Sequence, residues 1–522
     1  MRAPIIRAWK GPVDAVLFAG GGGTCTGLKM ATGRSPYVAI NHNPKAIAMH
    51  KANHPETKHY VEDVHDVDPV DAVDGQECGA LWLSPDCTFH SKARGGKPFR
   101  DRNRARRVRG LAWIAHKWAK AVKPAVIFME NVEELQDWGP LGPDNRPDPA
   151  RKGETFRRWV AGLRNLGYEV EWRELRACDY GSPTSRKRLF VVARRDGKPI
   201  RWPVPTHGKG RPKPHRAAAE FIDFSRPAAS IFLTPEEARA WAKQHGLGVP
   251  RRPLSPKTMA RIARGVDRFV VNAAEPFIVP VTHGGGEGRC YPITEPIKTI
   301  TGAHRGEFAL VAPTLIQTSY GERKGQAPRV LDIQQPLGTV VAGGIKHSLV
   351  TAHLAAAFIA KHNGGHEATG QQLTLPADTI CTRDQKALVA AQLQALGTED
   401  PGRATDVRAF LMRYNGTRTT GQHLFDPIST IDTTDRFALV MVHGVAYVIV
   451  DITMRMLTPR ELFGCTGFPP DYIIDKVADG IELTAEEQVH MCGNAVPPDM
   501  AAALFAANHP QSARPESVGV VA

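Results

Sequence analysis

The sequence predicts an α/β domain with a parallel sheet, followed by a second, β-rich domain. Residues 1 to about 200 alternate short apolar segments with helix-like stretches, the rhythm of a parallel α/β sheet. Residues 200–256 are rich in Pro, Arg and Lys, as is typical of a connection between domains. From 277 to 442 the chain repeats a pattern of strands and glycine turns, which indicates a β-rich module.

Four strands and one helix are predicted in the first domain. The apolar segments at 15–19, 81–83, 126–129 and 189–193 have the length and composition of buried strands. Between the second and third strands, apolar residues at helical spacing predict a helix with one buried face: Leu111, Ile114, Ala115, Trp118 and Val122.

A basic helix and four repeated units are predicted in the second region. Ser255 and Pro256 suit a helix start, and Arg261 and Arg264 lie on a basic face that either follows phosphates or is merely solvated. Each unit then starts with an apolar pair and continues through Pro-x-x-Thr to an apolar strand; the pairs lie at 277–278, 315–316, 358–359 and 410–411. The units either stack as a structural frame or present variable turns to DNA.

The composition favours a polyanionic partner and argues against membrane insertion. The 522 residues suggest two or three domains, and the net charge of +14 favours nucleic acid over an uncharged partner, although a merely basic surface stays open. No apolar stretch is long enough to span a bilayer and the first residues do not form a secretion signal, so a cytoplasmic protein is expected. The eight cysteines form no Cys-x-x-Cys pair, so neither a disulfide framework nor a metal site is predicted.

A glycine run follows the first predicted strand. In LFAGGGGTCTGLKMATG, the four glycines 20–23 lie between that strand and an apparent helix, where glycine permits a tight turn and the close approach of a cofactor. No Gly-Lys-Thr follows, which argues against a P-loop. Asp63 either contacts an adenosine group or is a solvated turn residue. The histidines at 42, 50, 54, 59 and 65 show no metal-binding pattern and are predicted on the solvated surface.

Cys87 is the predicted nucleophile. It lies just past the second strand, in SPDCTFHSKARGGKP, at the sheet edge where α/β folds bind ligands. Basic residues that include Lys92, Arg94 and Lys97 follow it, and positive charge lowers the pKa of a thiol. The alternative is an inert packing cysteine.

Three further side chains are predicted at the same edge. Glu130 follows the third strand and suits an acid or a hydrogen-bond partner, although an exposed glutamate at a helix start is the simpler interpretation. Arg186 and Arg188 alternate beside the fourth strand and therefore point to one side, where they hold a base or a phosphate, or simply flank the strand. Two later segments, 454–472 and 491–504, follow these; in the second, a Gly-Asn turn at 493–494 with Pro-Pro after it is predicted to open an Ala-rich helix.

In this order, the six segments resemble the DNA (cytosine-5) methyltransferases. The resemblance covers residues 16–193 and 455–504, and it implies a Rossmann-like S-adenosylmethionine-dependent methyltransferase domain at 1–200. It further implies a target recognition domain within 201–450, and a segment at 451–522 that braces it and returns to the catalytic domain.

The resemblance also implies residue roles. Phe18, Gly20, Gly22 and Gly23 would line the S-adenosylmethionine pocket, with Asp63 at the adenine and Asn494 closing the pocket. Cys87 would attack carbon 6 of a flipped cytosine, Glu130 would hold N3, and Arg188, with Arg186, would hold the base. Lys92, Arg94, Lys97, Arg261 and Arg264 are the predicted phosphate contacts on double-stranded DNA.

The sequence departs from the family pattern at four positions. Asp86 stands where proline usually precedes the nucleophile, and His42 where an acidic residue usually binds the cofactor ribose. Thr184 replaces a glutamine and Ala495 a serine. A monomer is expected, and a cognate restriction endonuclease is left open. The alternatives are a tRNA cytosine-5 methyltransferase, a catalytically decayed DNA-binding relative and, least favoured, a nicotinamide dehydrogenase.

Overall fold

The computed structural model describes most of the first 254 residues and the last part of the chain. The described residues are 11–90, 100–254 without 222 and 224, 451–511, and, between 255 and 450, positions 259 and 262 and the strands given below. In the residues described, no helix is both long and apolar enough to cross a membrane.

A seven-stranded sheet organises the first domain. Its strands are β1 (Val13–Leu17), β2 (Val38–Ile40), β3 (Lys58–Tyr60), β4 (Cys78–Leu83), β5 (Val126–Asn131), β6 (Glu169–Arg176) and β7 (Lys187–Arg194), in the order β3-β2-β1-β4-β5-β7-β6. All four predicted strands are present. The neighbours from β3 through to β5 pair in parallel, which confirms the predicted α/β class.

The predicted parallel sheet contains one strand that runs in the opposite direction. β7 runs antiparallel to both β5 and β6. Only a short connection, which includes a 3-10 turn at Ala177–Tyr180, separates β6 from β7. A parallel pair needs a crossover of a dozen or more residues, usually through a helix, so this short connection reverses the chain.

Helices cover both faces of the sheet. They are α1 (Gly23–Thr32), α2 (Pro44–Asn53), α3 (Pro69–Ala72), α4 (Arg102–Arg109), α5 (Ile114–Ala121) and α6 (Glu154–Asn165). The predicted apolar helix is α5 with the 3-10 turn Leu111–Trp113 before it, and its Ile114, Ala115 and Trp118 are buried as expected.

The C-terminal segment returns to this domain. It contains α8 (Pro459–Thr466), α9 (Ala485–Asn494) and α10 (Pro498–Asn508), which follow α7 (Pro235–His245) in chain order. Met500, Ala501, Leu504 and Phe505 of α10 join the apolar core that contains Trp82 and Phe128. A Cβ at Gly27 would lie 2.5 Å from the Ala501 Cβ, so α1 and α10 are in close contact. The return therefore brings the end of α9 towards the glycine run.

The described parts of the middle region are mainly antiparallel strands. These are β8 (Ala229–Ser230), β9 (Phe277–Ile278), β10 (Tyr291–Pro292), β11 (Leu315–Thr318), β12 (Val330–Leu331), β13 (Ser348–Leu349), β14 (Leu354–Lys361), β15 (Lys386–Ala395), β16 (Leu439–Val442) and β17 (Val445–Met456). β14, β15, β17 and β16 form one antiparallel sheet, which β8 extends beside β17.

The predicted repeats are only partly within these residues. Three of the four apolar pairs lie in strands, namely β9, β11 and β14. The fourth pair, 410–411, and the Pro-x-x-Thr segments lie outside the described residues, so the repeat remains a prediction. Arg261 and Arg264 also lie outside them, while positions 259 and 262 on either side of Arg261 are helical.

Candidate active site

The glycine run forms a tight turn at the end of β1. Gly20 and Gly22 have φ values of +53° and +88°, in the left-handed region that favours glycine. A Cβ at Gly22 would lie 2.2 Å from Tyr472 Oη, and one at Gly23 would lie 2.1 Å from Val496 O. Tyr472 Oη also donates a hydrogen bond to Gly21 O at 2.6 Å. The C-terminal segment therefore packs against the turn from behind.

The opposite side of the turn is open. A Cβ at Gly20 would meet only Phe18 O, at 3.8 Å, so the backbone is accessible there. Phe18 itself has φ +59°, an unusual conformation for a bulky residue, which costs of the order of 1–3 kcal/mol and is common at ligand sites. Because β3, β2, β1 and β4 are adjacent and parallel, the loops after β1, β2 and β3 meet at one sheet edge, beside the β1–β4 switch point.

The other predicted cofactor residues are exposed around this edge. His42 follows β2, and Asp63 follows β3, where its Oδ1 accepts a hydrogen bond from His65 N at 3.0 Å. Asn494 ends α9 and its side chain contacts the His490 ring at 3.1 Å. The predicted Gly-Asn turn is thus the last turn of a helix, and the polar groups at 42, 63 and 494 are accessible to a ligand.

The prediction that the nearby histidines lie on the solvated surface is wrong for His50 and His54, which are buried, and for half-buried His59. His50 Nδ1 lies 2.8 Å from His59 Nε2, and His54 Nδ1 lies 2.9 Å from Ser35 Oγ. Burial is the main cause that lowers the pKa of His54 and that of His59 to about 4 each. It also holds the pKa of His50 well below its ordinary value. These rings pack behind Gly22 as neutral groups.

Cys87 lies in the turn after β4. Asn131 Nδ2, at the end of β5, donates to Pro85 O at 2.9 Å and fixes this turn to the neighbouring strand. Asp86 is exposed, and its Oδ1 accepts from Thr88 N at 2.6 Å. The turn thus keeps Cys87 half-buried at the carboxyl edge of the sheet.

The pKa of the Cys87 thiol is raised, contrary to the expectation that basic neighbours lower it. Burial is the largest cause, and the carboxylates of Glu130 and Asp86 act in the same direction. Arg188 and Arg186 oppose them. The basic residues predicted to depress this pKa, Lys92, Arg94 and Lys97, lie outside the described residues. Among described groups, the two arginines are therefore the ones that favour the thiolate.

Glu130 is buried in β5, so the simpler interpretation of an exposed residue at a helix start is wrong. Its Oε1 lies 3.4 Å from Arg188 Nε and 3.7 Å from Arg186 Nη2. The two arginines belong to the start of β7 and the turn before it, and β7 pairs with β5. Glu130 Oε1 makes no hydrogen bond although it is buried. The pocket thus holds a carboxylate with unused hydrogen-bonding capacity, beside two cations and a thiol.

Arg186 connects this pocket to the cofactor side. Its Nη1 donates to Gly493 O at 3.0 Å, one residue before Asn494. Thr184, at the position of the usual glutamine, is buried, and its Oγ1 accepts from Arg186 N at 3.3 Å. Asn131, Tyr472 and the Gly493 carbonyl are site components that sequence reasoning missed. Asn131 directly follows Glu130, and this adjacency was the one available signal.

The arginine-rich helix α4 divides into two groups. Arg109 is buried and donates to Gly139 O at 2.9 Å, and Arg102 Nη1 donates to Gly142 O at 2.7 Å. Arg104, Arg106 and Arg107 are exposed. The first group therefore holds the helix in place, and the second presents positive charge to solvent.

The segment predicted as a brace makes a buried ion pair. Arg455 Nη2 lies 2.8 Å from Glu461 Oε1, with both side chains less than a tenth exposed. Arg455 Nη2 also donates to Asp223 O at 2.6 Å, and Asp223 N donates to Glu461 Oε1 at 2.9 Å. The pair thus ties the end of β17 and α8 to the connection near 223.

Comparison with known proteins gives one family and several partial relatives. The family model described as C-5 cytosine-specific DNA methylase matches residues 15–245 and 371–508, more than half of the chain. Type II methyltransferase M.SacI of Streptomyces achromogenes is 31% identical over 33% of this chain and 42% of its own length. M.AgeI of Thalassovita gelatinovora is 26% identical over 37% of this chain, and M.Bsp6I of Bacillus sp. (strain RFL6) is 30% identical over 37%. The matches span 42% and 56%, respectively, of those two relatives.

Proposed function

The chain belongs to the C-5 cytosine-specific DNA methylase family, and from this premise we propose that it is a DNA (cytosine-5) methyltransferase. The reaction transfers a methyl group from S-adenosylmethionine to carbon 5 of a flipped-out cytosine in a specific duplex sequence. The observation that carries the proposal is the convergence of four side chains in one pocket: Cys87, Glu130, Arg186 and Arg188. The two arginines favour the thiolate of Cys87 and lie beside the buried carboxylate of Glu130.

The glycine turn fits the cofactor. The backbone at Gly20 is open on the side proposed for the ligand. On the other side, Tyr472 and Val496 leave no space for a side chain at 22 or 23, so glycine is required there. Phe18, His42, Asp63 and Asn494 are proposed to line this opening, in the roles that the family resemblance implies. When bound, S-adenosylmethionine supplies an electrophilic methyl group.

The chemistry assigned to the pocket begins at Cys87. Its thiolate adds to carbon 6 of the cytosine, and Glu130 places a proton at N3 to neutralise the charge that develops in the ring. Carbon 5 then becomes nucleophilic and takes the methyl group. A base, taken here as water, removes the carbon 5 proton, the S–C6 bond breaks to release the Cys87 thiolate, and N3 returns its proton to Glu130, which leaves neutral 5-methylcytosine. Arg188 and Arg186 hold the base and the glutamate. Cys87 can reach carbon 6 only when the cytosine has left the duplex stack.

We assign the DNA contacts to the regions after Cys87 and beyond residue 200. Lys92, Arg94, Lys97, Arg261 and Arg264 are proposed to bind phosphates, in keeping with the net charge of +14. The repeat-containing part of 201–450 is proposed as the target recognition domain, and 451–522 as its brace and return. Four units also suggest more than one target sequence; deletion of single units without a change in methylation pattern would count against this.

The test uses purified full-length protein, labelled S-adenosylmethionine and duplex DNA of mixed sequence. Label is expected in 5-methylcytosine with the wild type and with Cys78→Ser, a control at another buried cysteine, but not with Cys87→Ser. DNA binding without label would favour a decayed relative. Label only with tRNA would overturn the DNA substrate and favour the tRNA methyltransferase alternative.

A further inference from the structure

Three side chains with metal-ligand chemistry meet at the end of β6, away from Cys87. Cys178 and Asp179 lie in the 3-10 turn after β6, and His215 reaches them from the connection that follows β7. Cys178 Sγ lies 3.6 Å from Asp179 Oδ1, and His215 Nε2 lies 3.0 Å from the same oxygen. All three ligand atoms are within 4.8 Å of one another.

These separations are close to those around a tetrahedral zinc ion. With Zn–S of about 2.3 Å and Zn–N and Zn–O of about 2.0–2.1 Å, the S···O and N···O separations are about 3.5 and 3.3 Å. The distances from Asp179 Oδ1 to the sulfur and to the nitrogen differ from these by only a few tenths of an ångström, and Cys178 Sγ and His215 Nε2 lie within 4.8 Å of each other. We propose that Cys178, Asp179 and His215 bind a Zn²⁺ ion, a site that does not rest on the proposed methylation.

The local fold prepares this arrangement. Thr206 N and His207 N both donate to Asp179 O, at 2.9 and 3.1 Å, and Gly208 N donates to Lys213 O at 2.8 Å. The loop is thereby closed against the turn that holds Cys178. Arg176 Nε lies 3.5 Å from Asp179 Oδ2, which leaves Oδ1 towards the thiol and the imidazole.

His207 lies beside this cluster and outside the 4.8 Å group, with its Nδ1 in contact with Thr206 Oγ1 at 2.9 Å, so Nε2 is the atom proposed as the fourth ligand. A Cβ on Gly181 would lie 2.9 Å from His207 Cε1, so this ring packs against the same turn. The ion would fasten residues 206–215 to the connection that leads from β6 to Arg186 and Arg188. Its role is therefore structural: it holds the first part of the inter-domain connection on the sheet edge that carries the base pocket.

A second cysteine provides a matched control. Cys78 is also buried, and the carboxylate of Asp14 acts on it electrostatically. Asp14 Oδ1 contacts His509 Nε2 at 2.9 Å. However, Arg34 Nη2 lies 3.2 Å from Asp14 Oδ2, and the Cys78 thiol donates to Ala80 O. Cys78 thus shares the residue types without the clustered ligand atoms.

The experiment measures metal content and ligand type in the full-length protein. Wild type and Cys78→Ser, purified with Zn²⁺ and desalted, should retain about one zinc per chain, and Co²⁺ should give a thiolate charge-transfer band. Cys178→Ser should remove that band, and His215→Ala should weaken Co²⁺ binding at least about tenfold. His207→Ala should weaken it similarly, whereas unchanged affinity would remove His207 from the ligand set.

Two results would overturn the site. One is wild-type protein that retains no zinc and gives no charge-transfer band at saturating Co²⁺, a measurement that needs no variant to fold. The other is a band that persists in folded Cys178→Ser, because the thiolate would then come from another cysteine.

Discussion

The cofactor turn and the base pocket lie on one edge of the same sheet, but different forces shape them. The turn at Gly22 and Gly23 is set by steric contact, because the space for a side chain is filled by Tyr472 and Val496. The pocket at Cys87 is set by charge, because a buried Glu130 faces two arginines. The difference predicts that one methyl group disrupts the first site, while the second responds to changes of charge that leave its shape intact.

The largest effect is expected for Gly23→Ala. The new Cβ would lie 2.1 Å from a backbone oxygen, Val496 O, which cannot move without α10. We expect a loss of about 3 kcal/mol or more in the free energy of unfolding, together with loss of S-adenosylmethionine binding. Urea unfolding and calorimetric titration measure both quantities.

Gly33→Ala is the matched control for this prediction. Gly33 ends the same helix with φ +78° and has open space around it, so alanine there costs only about 1 kcal/mol of backbone strain. Equal destabilisation by the two variants would show that the contact between a side chain at 23 and Val496 O relaxes and does not govern the turn.

Gly22→Ala sharpens the argument, because its obstacle is a side chain. Removal of the Tyr472 hydroxyl in a Gly22→Ala/Tyr472→Phe double variant should restore part of the lost stability. The strain at φ +88° and the lost bond to Gly21 O, about 1 kcal/mol each, should remain. A double-mutant cycle in urea measures the coupling, and additive effects would mean that the two groups do not clash.

Glu130→Gln tests the charge-governed pocket. Glutamine has nearly the same shape but cannot supply the proton at N3, so methyl transfer should fall by about 10²–10⁴-fold. Cofactor affinity should stay within about twofold, since the change lies outside the glycine turn. Single-turnover transfer and calorimetric titration separate the two. A variant that keeps a tenth of the wild-type rate would remove Glu130 from the chemistry.

Local features of this site were predictable from the sequence, and burial was not. The glycine turn and the position of Cys87 after a strand depend on neighbours in the chain, and both are present. Glu130 was predicted at this edge, but the sequence around it alone suits an exposed helix start equally well, because its burial depends on β7, whose antiparallel pairing was missed. Tyr472 packs on Gly21 from 451 positions away. No local pattern contains that contact, which forms only when the C-terminal segment returns to the sheet.

The buried histidines predict acid sensitivity behind the cofactor turn. His54 has a pKa of about 4 in the folded protein, against an ordinary value of 6.5, so the unfolded chain takes up its proton first. Stability should be full above pH 6.5 and fall as pH drops towards 4, by up to about 1.4 kcal/mol per pH unit. Urea unfolding between pH 7 and 5 measures the slope, which His54→Gln should reduce.

The smallest effect is expected at Asp86, where charge acts on the nucleophile from the surface. Asp86→Asn keeps the Oδ1 acceptor for Thr88 N but removes one carboxylate that raises the pKa of Cys87. Because Asp86 is exposed and screened, the midpoint of the pH profile for Cys87 alkylation should fall by less than about half a pH unit. Mass spectrometry of the Cys87 peptide measures the rate, with Glu77→Gln as the control at the other end of β4. An unchanged midpoint would mean that burial and the groups inside the pocket alone set this pKa, which would confine the charge control of the pocket to its buried residues.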